Sequence, residues 1–294
     1  MTVGSPDRTG PGRILLPSLL APLLLGCCAA AATLAAQQPA AAAPTALPAS
    51  GSPAAAASAL PTAPATRLAA GLAPLPLNSE HGLQLLFRSR MRADYAPLSQ
   101  EFLTQATLSY CGVASAVMVL NSLAIPAPVA SGYGPYRFWT QDNLFEGGSG
   151  GPEAAMVRQR GMTLAQLRQL LAGRGVIAVA IEASDLNLAA LRQLLRRSLA
   201  DPDDRLLVNY DRRAIGQAGG GHISPLAAFD EDSDRVLILD VARYRYPSVW
   251  VPLSLLLQAM QRSDSDSGRS RGLVRISRPS SPSAPPAATP RSRP

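Results

Sequence analysis

Cysteine, histidine and aromatic residues are all scarce in this 294-residue chain, and each scarcity narrows what it can do. Of its three cysteines, Cys27 and Cys28 fall in an amino-terminal apolar stretch, leaving Cys111 with no partner for an internal disulfide. One thiol and two histidines offer no ligand set for a dedicated protein metal site. Aromatics are 5% of the residues, and the net charge of +7 comes from scattered arginines, not from a basic block interleaved with aromatics. That composition speaks against a nucleic-acid partner. An exported protein with one thiol in its domain has either a buried filler or a reactive group, and Cys111 is the residue to explain.

The two ends lack the apolar period of a folded domain. Arg8 and Arg13 precede an apolar run and then small residues, so residues 1–36 are expected to be an export signal or an uncleaved membrane anchor. Leu24-Leu25-Gly26-Cys27 also resembles a lipoprotein signal, with Cys27 as the lipidated residue. The protein is accordingly expected to be exported, periplasmic or membrane-anchored, touching membrane only through this segment. Residues 37–77 are an Ala/Pro-rich linker, and residues 279–294 a disordered Pro/Ser/Arg tail. Between them, residues 78–278 have the length of one ordinary domain with a sizeable core.

Within that domain a short helix is expected over 82–90, then a loop containing Pro97 as far as Gln105. From Cys111 the sequence is small and apolar on nearly every face, which predicts a buried helix stopped by Pro126 and Pro128. A long Gly-, Tyr- and Pro-rich loop follows over 131–152, of a length that is often functional. Thr163 caps a helix over 164–171, and 176–181 is a strand. A helix over 186–199 carries leucines on one side. Strands are then expected over 206–210, 222–229 and 235–241, a helix over 253–260 and a closing strand over 272–277. Helices come first and antiparallel strands after, an α+β order.

Two histidines could serve Cys111. His81 lies at the domain edge beside Glu80 and reads as an exposed surface residue. His222 follows Gly219-Gly220-Gly221 and opens an apolar strand, where a backbone stripped of side chains leaves room for a substrate. The polar segment 230–234 turns that strand into a hairpin, and centring the turn near Asp232 sets residue 222 opposite 242. Asp240 then lies diagonally across on the same face, a carboxylate at the end of an apolar run that needs a partner. Cys111 at a helix start, His222 as base and Asp240 as orienting acid make a nucleophilic triad in papain-type order. The Cys111 N–H and the side chain of Gln105 could receive the oxyanion. Spacing alone also permits a core cysteine, an edge histidine and a strand-end aspartate in no special relation.

Longer segments carry a resemblance. Thr104-Gln105, Tyr110-Cys111-Gly112-Val113-Ala114-Ser115 and Met118-Val119-Leu120-Asn121 closely resemble the nucleophile segment of the phytochelatin synthases. Thr140-Gln141-Asp142-Asn143, Gly219-Gly220-Gly221-His222-Ile223-Ser224-Pro225, Leu239-Asp240-Val241-Ala242-Arg243-Tyr244, Tyr246-Pro247 and Trp250-Val251 follow in the family's order. The resemblance implies a papain-like cysteine-protease fold, with the nucleophile helix packed on an antiparallel sheet. It implies cleavage of the Cys–Gly bond of glutathione through a thioester on Cys111, releasing glycine. γ-Glutamylcysteine then passes to a second glutathione, giving phytochelatin, or to water. Cys111, His222, Asp240 and Gln105 would be catalytic; Gly221, Arg243, Asp264 and Arg271 would bind substrate, with Arg243 supporting Asp240 or a substrate carboxylate. Family members from plants carry a Cys-rich carboxy-terminal region, and here a Pro/Ser/Arg tail stands instead, as in a short bacterial form. No cofactor is implied; Cd²⁺ or Zn²⁺ would enter as a glutathione–thiolate complex, as substrate. A homodimer stays open. The same triad would also suit an exported cysteine peptidase on other peptides, and the fold without turnover a non-catalytic binding module.

Overall fold

The apolar runs of this chain assemble into one antiparallel sheet held between helices. In the computed structural model, which describes residues 70–148 and 150–279, strand β1 (Leu75–Pro76) leads to helices α1 (Glu80–Arg88), α2 (Tyr95–Gln100) and α3 (Cys111–Ser122). After a long loop come α4 (Ala154–Arg160), α5 (Leu164–Ala172), β2 (Ile177–Glu182) and α6 (Leu188–Ser198). Strands β3 (Asp204–Asp211), β4 (Gly221–Asp230), β5 (Arg235–Ile238) and β6 (Val249–Pro252) follow, then α7 (Leu253–Gln261) and β7 (Gly272–Ser277). The seven strands lie in the order β1-β6-β5-β4-β3-β7-β2, every neighbouring pair antiparallel. The fold is mixed α+β, with helices packed against an antiparallel sheet. The expected export signal or anchor, most of the linker and nearly all of the tail lie outside the described residues. No helix among the described residues is long and apolar enough to cross a membrane.

Both faces of the sheet are covered, which explains strands that do not alternate with polar residues. In β5, Leu237 joins the core that contains α3 and α5, while Val236 and Ile238 join the core that contains α6 and α7. Strand β3 is buried at all eight positions. In α6, Leu191 and Leu195 are fully buried, with Leu188 and Leu194 packed against them. Helix α5 begins with a capping box, Thr163 accepting from the Gln166 N–H while Gln166 accepts from the Thr163 N–H.

Three local expectations need correction. Pro97 sits inside α2 and not in a loop; it lies in the first turn, where its missing N–H leaves no intrahelical bond unmade. Strand β5 ends at Ile238, so Asp240 lies just past the strand. The sheet also takes in Leu75 and Pro76, paired with Trp250 and Val249, ahead of residue 78.

Helix α3 is the element that positions the site. Its residues from Cys111 to Leu120 are all buried, so it packs on every side and not along one stripe. Its far end is held by a buried guanidinium. Arg205 donates to the Ser122 hydroxyl at 3.1 Å and carbonyl at 3.3 Å, and pairs with Asp94 at 3.0 Å. A cation at a helix C-terminus satisfies carbonyls that lack intrahelical partners. Truncating Arg205 to Met would leave Asp94 buried without its counter-charge. A loss of about 3–5 kcal/mol is expected, read as a fall in the denaturant midpoint at constant slope.

Candidate active site

Cys111 is the first residue of α3, and the turn before it is fastened from two sides. The Ser109 hydroxyl donates to the Arg158 carbonyl at 2.6 Å, joining this turn to the end of α4. The Gln105 N–H donates to the Val241 carbonyl at 3.0 Å, joining it to the segment that follows β5. Gly112 packs closely: a Cβ there would stand 2.6 Å from Met162 Cε and 3.1 Å from Ile223 Cδ1, and those side-chain ends would have to move.

On the sheet side, His222 is the second residue of β4 and faces Tyr210 in β3. The β4–β5 hairpin pairs Leu226 with Ile238, a register that places 222 across from 242 when continued outward. A bulge between Leu226 and Ala228 shifts the register nearer the turn. Asp240 comes to His222 as the register requires: Asp240 Oδ1 is 3.0 Å from His222 Nε2. Ser224 Oγ lies 2.9 Å from the same nitrogen. An Nε2–H shared between these two oxygens leaves Nδ1 as the basic nitrogen available to Cys111.

The electrostatics follow from these contacts. Burial alone would push the Cys111 thiol up, but the hydrogen bond and charge of His222 outweigh it. With help from the N–H groups of Ile223 and Gly112, the thiol is held below its usual value. Burial would push His222 down, and its hydrogen bonds to Asp240 and Cys111 raise it instead. Burial would likewise raise Asp240, yet His222 and Arg212 hold it well below the usual carboxylate range. A lowered thiol beside a raised imidazole favours a thiolate–imidazolium pair near neutral pH.

This pair predicts how Cys111 alkylates. At pH 6.5 a free thiol with a pKa of about 8.5 is only ~1% ionised. Cys111 is expected to react with iodoacetamide roughly ten- to a hundredfold faster than free cysteine there. The excess should vanish in His222→Ala, both followed by intact mass. A rate no faster than free cysteine would mean that no such pair forms.

Sequence reasoning missed the residue that braces this site. Arg212, in the short turn after β3, donates to Asp240 Oδ2 at 2.7 Å and to Oδ1 at 2.8 Å. It is buried, bonds Gln217, and lies with its guanidinium carbon 5.0 Å from the centre of the Tyr246 ring. Arg243, expected at Asp240 or at substrate, is instead exposed with its guanidinium carbon 4.8 Å from the centre of the Phe102 ring. Its neighbour Ala242 supplies a backbone N–H to Asp240 Oδ1 at 2.9 Å. The bidentate geometry is what separates the two arginines.

Gln105 is buried, and its Nε2 donates to the Thr107 carbonyl at 2.7 Å. Its Oε1 has no partner, and one Nε2 hydrogen stays uncommitted. Gln141 grips the same loop, donating to the Thr104 carbonyl at 2.9 Å and accepting from the Ala106 N–H at 2.8 Å. Gln105→Ala is expected to lower kcat by about 10²–10³ if this amide receives an oxyanion, measured beside an unchanged Cys111 alkylation rate. In the loop after α3 that carries Gln141, Trp139 exchanges hydrogen bonds with Asn121 at 3.0 and 2.8 Å, fixing that loop to the end of α3.

Cys111 and His222 open into a cavity of about 600 Å³. Gly221, Asp264 and Arg271 line the same cavity, together with Asn209. Arg271 Nη1 donates to Asn209 Oδ1 at 3.1 Å and to Asp264 Oδ2 at 3.2 Å. Gly221 gives Arg271 its room, since a Cβ there would stand 2.3 Å from Nη1. Asn209 Nδ2 and Arg271 Nε are buried without partners. The cavity therefore combines a nucleophile and base with one paired cation and anion. His81 is exposed and far in sequence from these elements. Among the described residues no group of three or more His, Cys, Asp and Glu could hold a metal ion.

Comparison with known proteins places this arrangement in context. The chain is 34% identical over 178 residues to glutathione gamma-glutamylcysteinyltransferase 2 of Arabidopsis thaliana, covering 60% of this chain and 38% of that protein. It is 34% identical over 178 residues to glutathione gamma-glutamylcysteinyltransferase 1 of Lotus japonicus, covering 60% and 34%. With glutathione gamma-glutamylcysteinyltransferase of Schizosaccharomyces pombe it shares 31% over 198 residues, covering 67% and 46%. The chain thus spans less than half the length of these curated relatives. A phytochelatin synthase family model matches residues 68–273, which take in the whole of this site, and the chain belongs to that family.

Proposed function

We propose that this protein is a glutathione γ-glutamylcysteinyltransferase and glutathione hydrolase, working by a papain-like cysteine mechanism. The observation that carries the reading is the shared cavity, where Cys111 and His222 stand beside the Asp264–Arg271 pair. The γ-glutamyl group of glutathione presents an α-ammonium and an α-carboxylate together, and Asp264 and Arg271 offer their complements. Asn209 Oδ1, accepting from Arg271 Nη1 at 3.1 Å, holds that guanidinium in the cavity wall.

The Cys111 thiolate attacks the carbonyl carbon of the Cys–Gly bond, and the oxyanion falls to the Cys111 N–H and Gln105 Nε2. His222, protonated, gives its proton to the glycine nitrogen; the C–N bond breaks and a thioester remains on Sγ. Water, or the α-amine of a second glutathione, then attacks the thioester carbonyl while His222 accepts the proton of the nucleophile. The C–S bond breaks and Cys111 leaves as thiolate. Asp240 keeps Nε2–H fixed throughout, so that Nδ1 faces the reacting atoms. No step requires a protein-bound metal; Cd²⁺ or Zn²⁺ would reach the site as a glutathione–thiolate complex.

We propose further that the protein is exported through residues 1–36. The basic residues ahead of the apolar run support export. Product analysis tests the activity: glycine and γ-glutamylcysteine or longer γ-glutamyl peptides from glutathione support it. Cleavage of unrelated peptides with glutathione untouched would replace it with a peptidase.

A further inference from the structure

The charges that line the cavity are sorted by segment. From the connection between α7 and β7 come Asp264, Asp266 and Arg271, with Asp264 and Arg271 paired. From the end of α4 come Arg158 and Arg160. Neither has a carboxylate within ion-pair distance among the described residues. Most of the other cavity and core arginines do have one.

This helical segment is built against the nucleophile. The Arg158 carbonyl is held by Ser109, two residues before Cys111. The Arg158 guanidinium carbon lies 5.1 Å from the centre of the ring of Tyr110, the residue adjoining Cys111. Gly161 turns the chain back with φ +79°, bringing Met162 against Gly112. Arg158 and Arg160 thereby line the cavity that holds the reacting sulfur, on a segment that brings no carboxylate to it.

From this we infer that Arg158 and Arg160 recognise the carboxylate of the departing glycine and so make the site selective for peptides with a free C-terminal glycine. The inference rests on the glutathione reading above. A glutathione held by its γ-glutamyl end at Asp264 and Arg271, with its cysteinyl carbonyl at Sγ, directs its remaining charge away from that pair. The glycine carboxylate is that charge. It would be repelled by Asp266 and attracted by the two guanidiniums. Exposed arginines at a cavity mouth bind through screened attraction and charge-assisted hydrogen bonds. They act on capture and orientation more than on the chemical step.

The test compares glutathione with its glycine ethyl ester, in which that carboxylate is blocked. Formation of γ-glutamylcysteinyl product, common to both, is followed as kcat/KM for the wild type and for Arg158→Gln/Arg160→Gln. Arg168→Gln, an exposed arginine of α5 outside this cavity, controls for overall charge. Wild type is expected to prefer glutathione by about tenfold or more, and the double variant to lose about ten- to a hundredfold on glutathione alone. Its rate on the ester should stay near wild type, and the Arg168 variant should keep the preference. Equal losses on both substrates, no loss on either, or a wild type indifferent to the ester would overturn the inference while the glutathione reading stands. A wild type that acts on neither substrate would overturn both.

Discussion

Incubated once with glutathione and quenched in acid, the wild-type protein should gain the mass of a γ-glutamylcysteinyl group, and Cys111→Ser should gain nothing. The expected contrast is large because the whole route depends on one atom. A serine hydroxyl is a far weaker nucleophile at neutral pH than a thiolate already ionised by its neighbour. Loss of the nucleophile in such a triad costs on the order of 10⁴-fold or more, since its members act as a unit. The change exchanges sulfur for oxygen at a residue that is 9% exposed, so the fold should survive it. Circular dichroism and the denaturant midpoint would check that. Glycine should appear in the wild-type reaction in amounts equal to the adduct plus turned-over product. Adduct on the serine variant, or glycine release by it, would remove Cys111 from its assigned role. A wild type that neither gains mass nor releases glycine would end the glutathione reading itself.

Much of this site was legible before any coordinates, for particular physical reasons. A helix that is apolar on all sides has one place to go, through the middle of the domain, and α3 is buried from Cys111 to Leu120. The hairpin was legible because its turn is a run of acids between apolar strands. The acids are spoken for: Asp230 takes Arg88, and Asp234 takes Arg192. Centring the turn at Asp232 gave the pairing of 222 with 242; the pairs beside the turn run one residue off that count, and the bulge at Ala227 brings the outer register back to it.

What stayed hidden lacked a periodic signal. Strand β6 is four residues, buried throughout and closed by proline, too short for either period to register. Helix α4 is seven residues between a glycine-rich loop and Gly161. Arg212 was hidden by its neighbours. Asp211-Arg212-Arg213 reads as a solvated cluster, and Arg213 does pair with Asp211 at 2.8 Å. Only the left-handed Gly216, at φ +77°, closes the turn that sends Arg212 inward to Asp240 instead. No count along the sequence separates those two arginines.

Arg212 is also where the second large effect is expected. Its two hydrogen bonds are the closest that Asp240 receives, at 2.7 and 2.8 Å, in a place with no exposure to water. Arg212→Met should therefore lower kcat/KM by about 10²-fold or more, because the carboxylate that orients His222 loses its brace. The pH profile distinguishes this from simple loosening of the fold. Arg212's charge favours the Cys111 thiolate, so its removal lets that sulfur protonate at higher pH, and the acidic limb should move up. The same positive charge also pushes His222 down, so its removal lets the imidazolium persist to higher pH, and the basic limb should move up too. Both shifts have one sign, and a loosened fold predicts no such common direction. Stability should fall by about 3–5 kcal/mol, since one partner of a buried pair is left behind. If Arg212→Met does not fold, Arg212→Lys decides the matter: it keeps the charge but cannot offer the two-pronged donor. Lysine should restore most of the pH profile while leaving kcat depressed. Wild-type kcat in the lysine variant, or a methionine variant with an unmoved profile, would show that Asp240 is positioned by something other than this guanidinium.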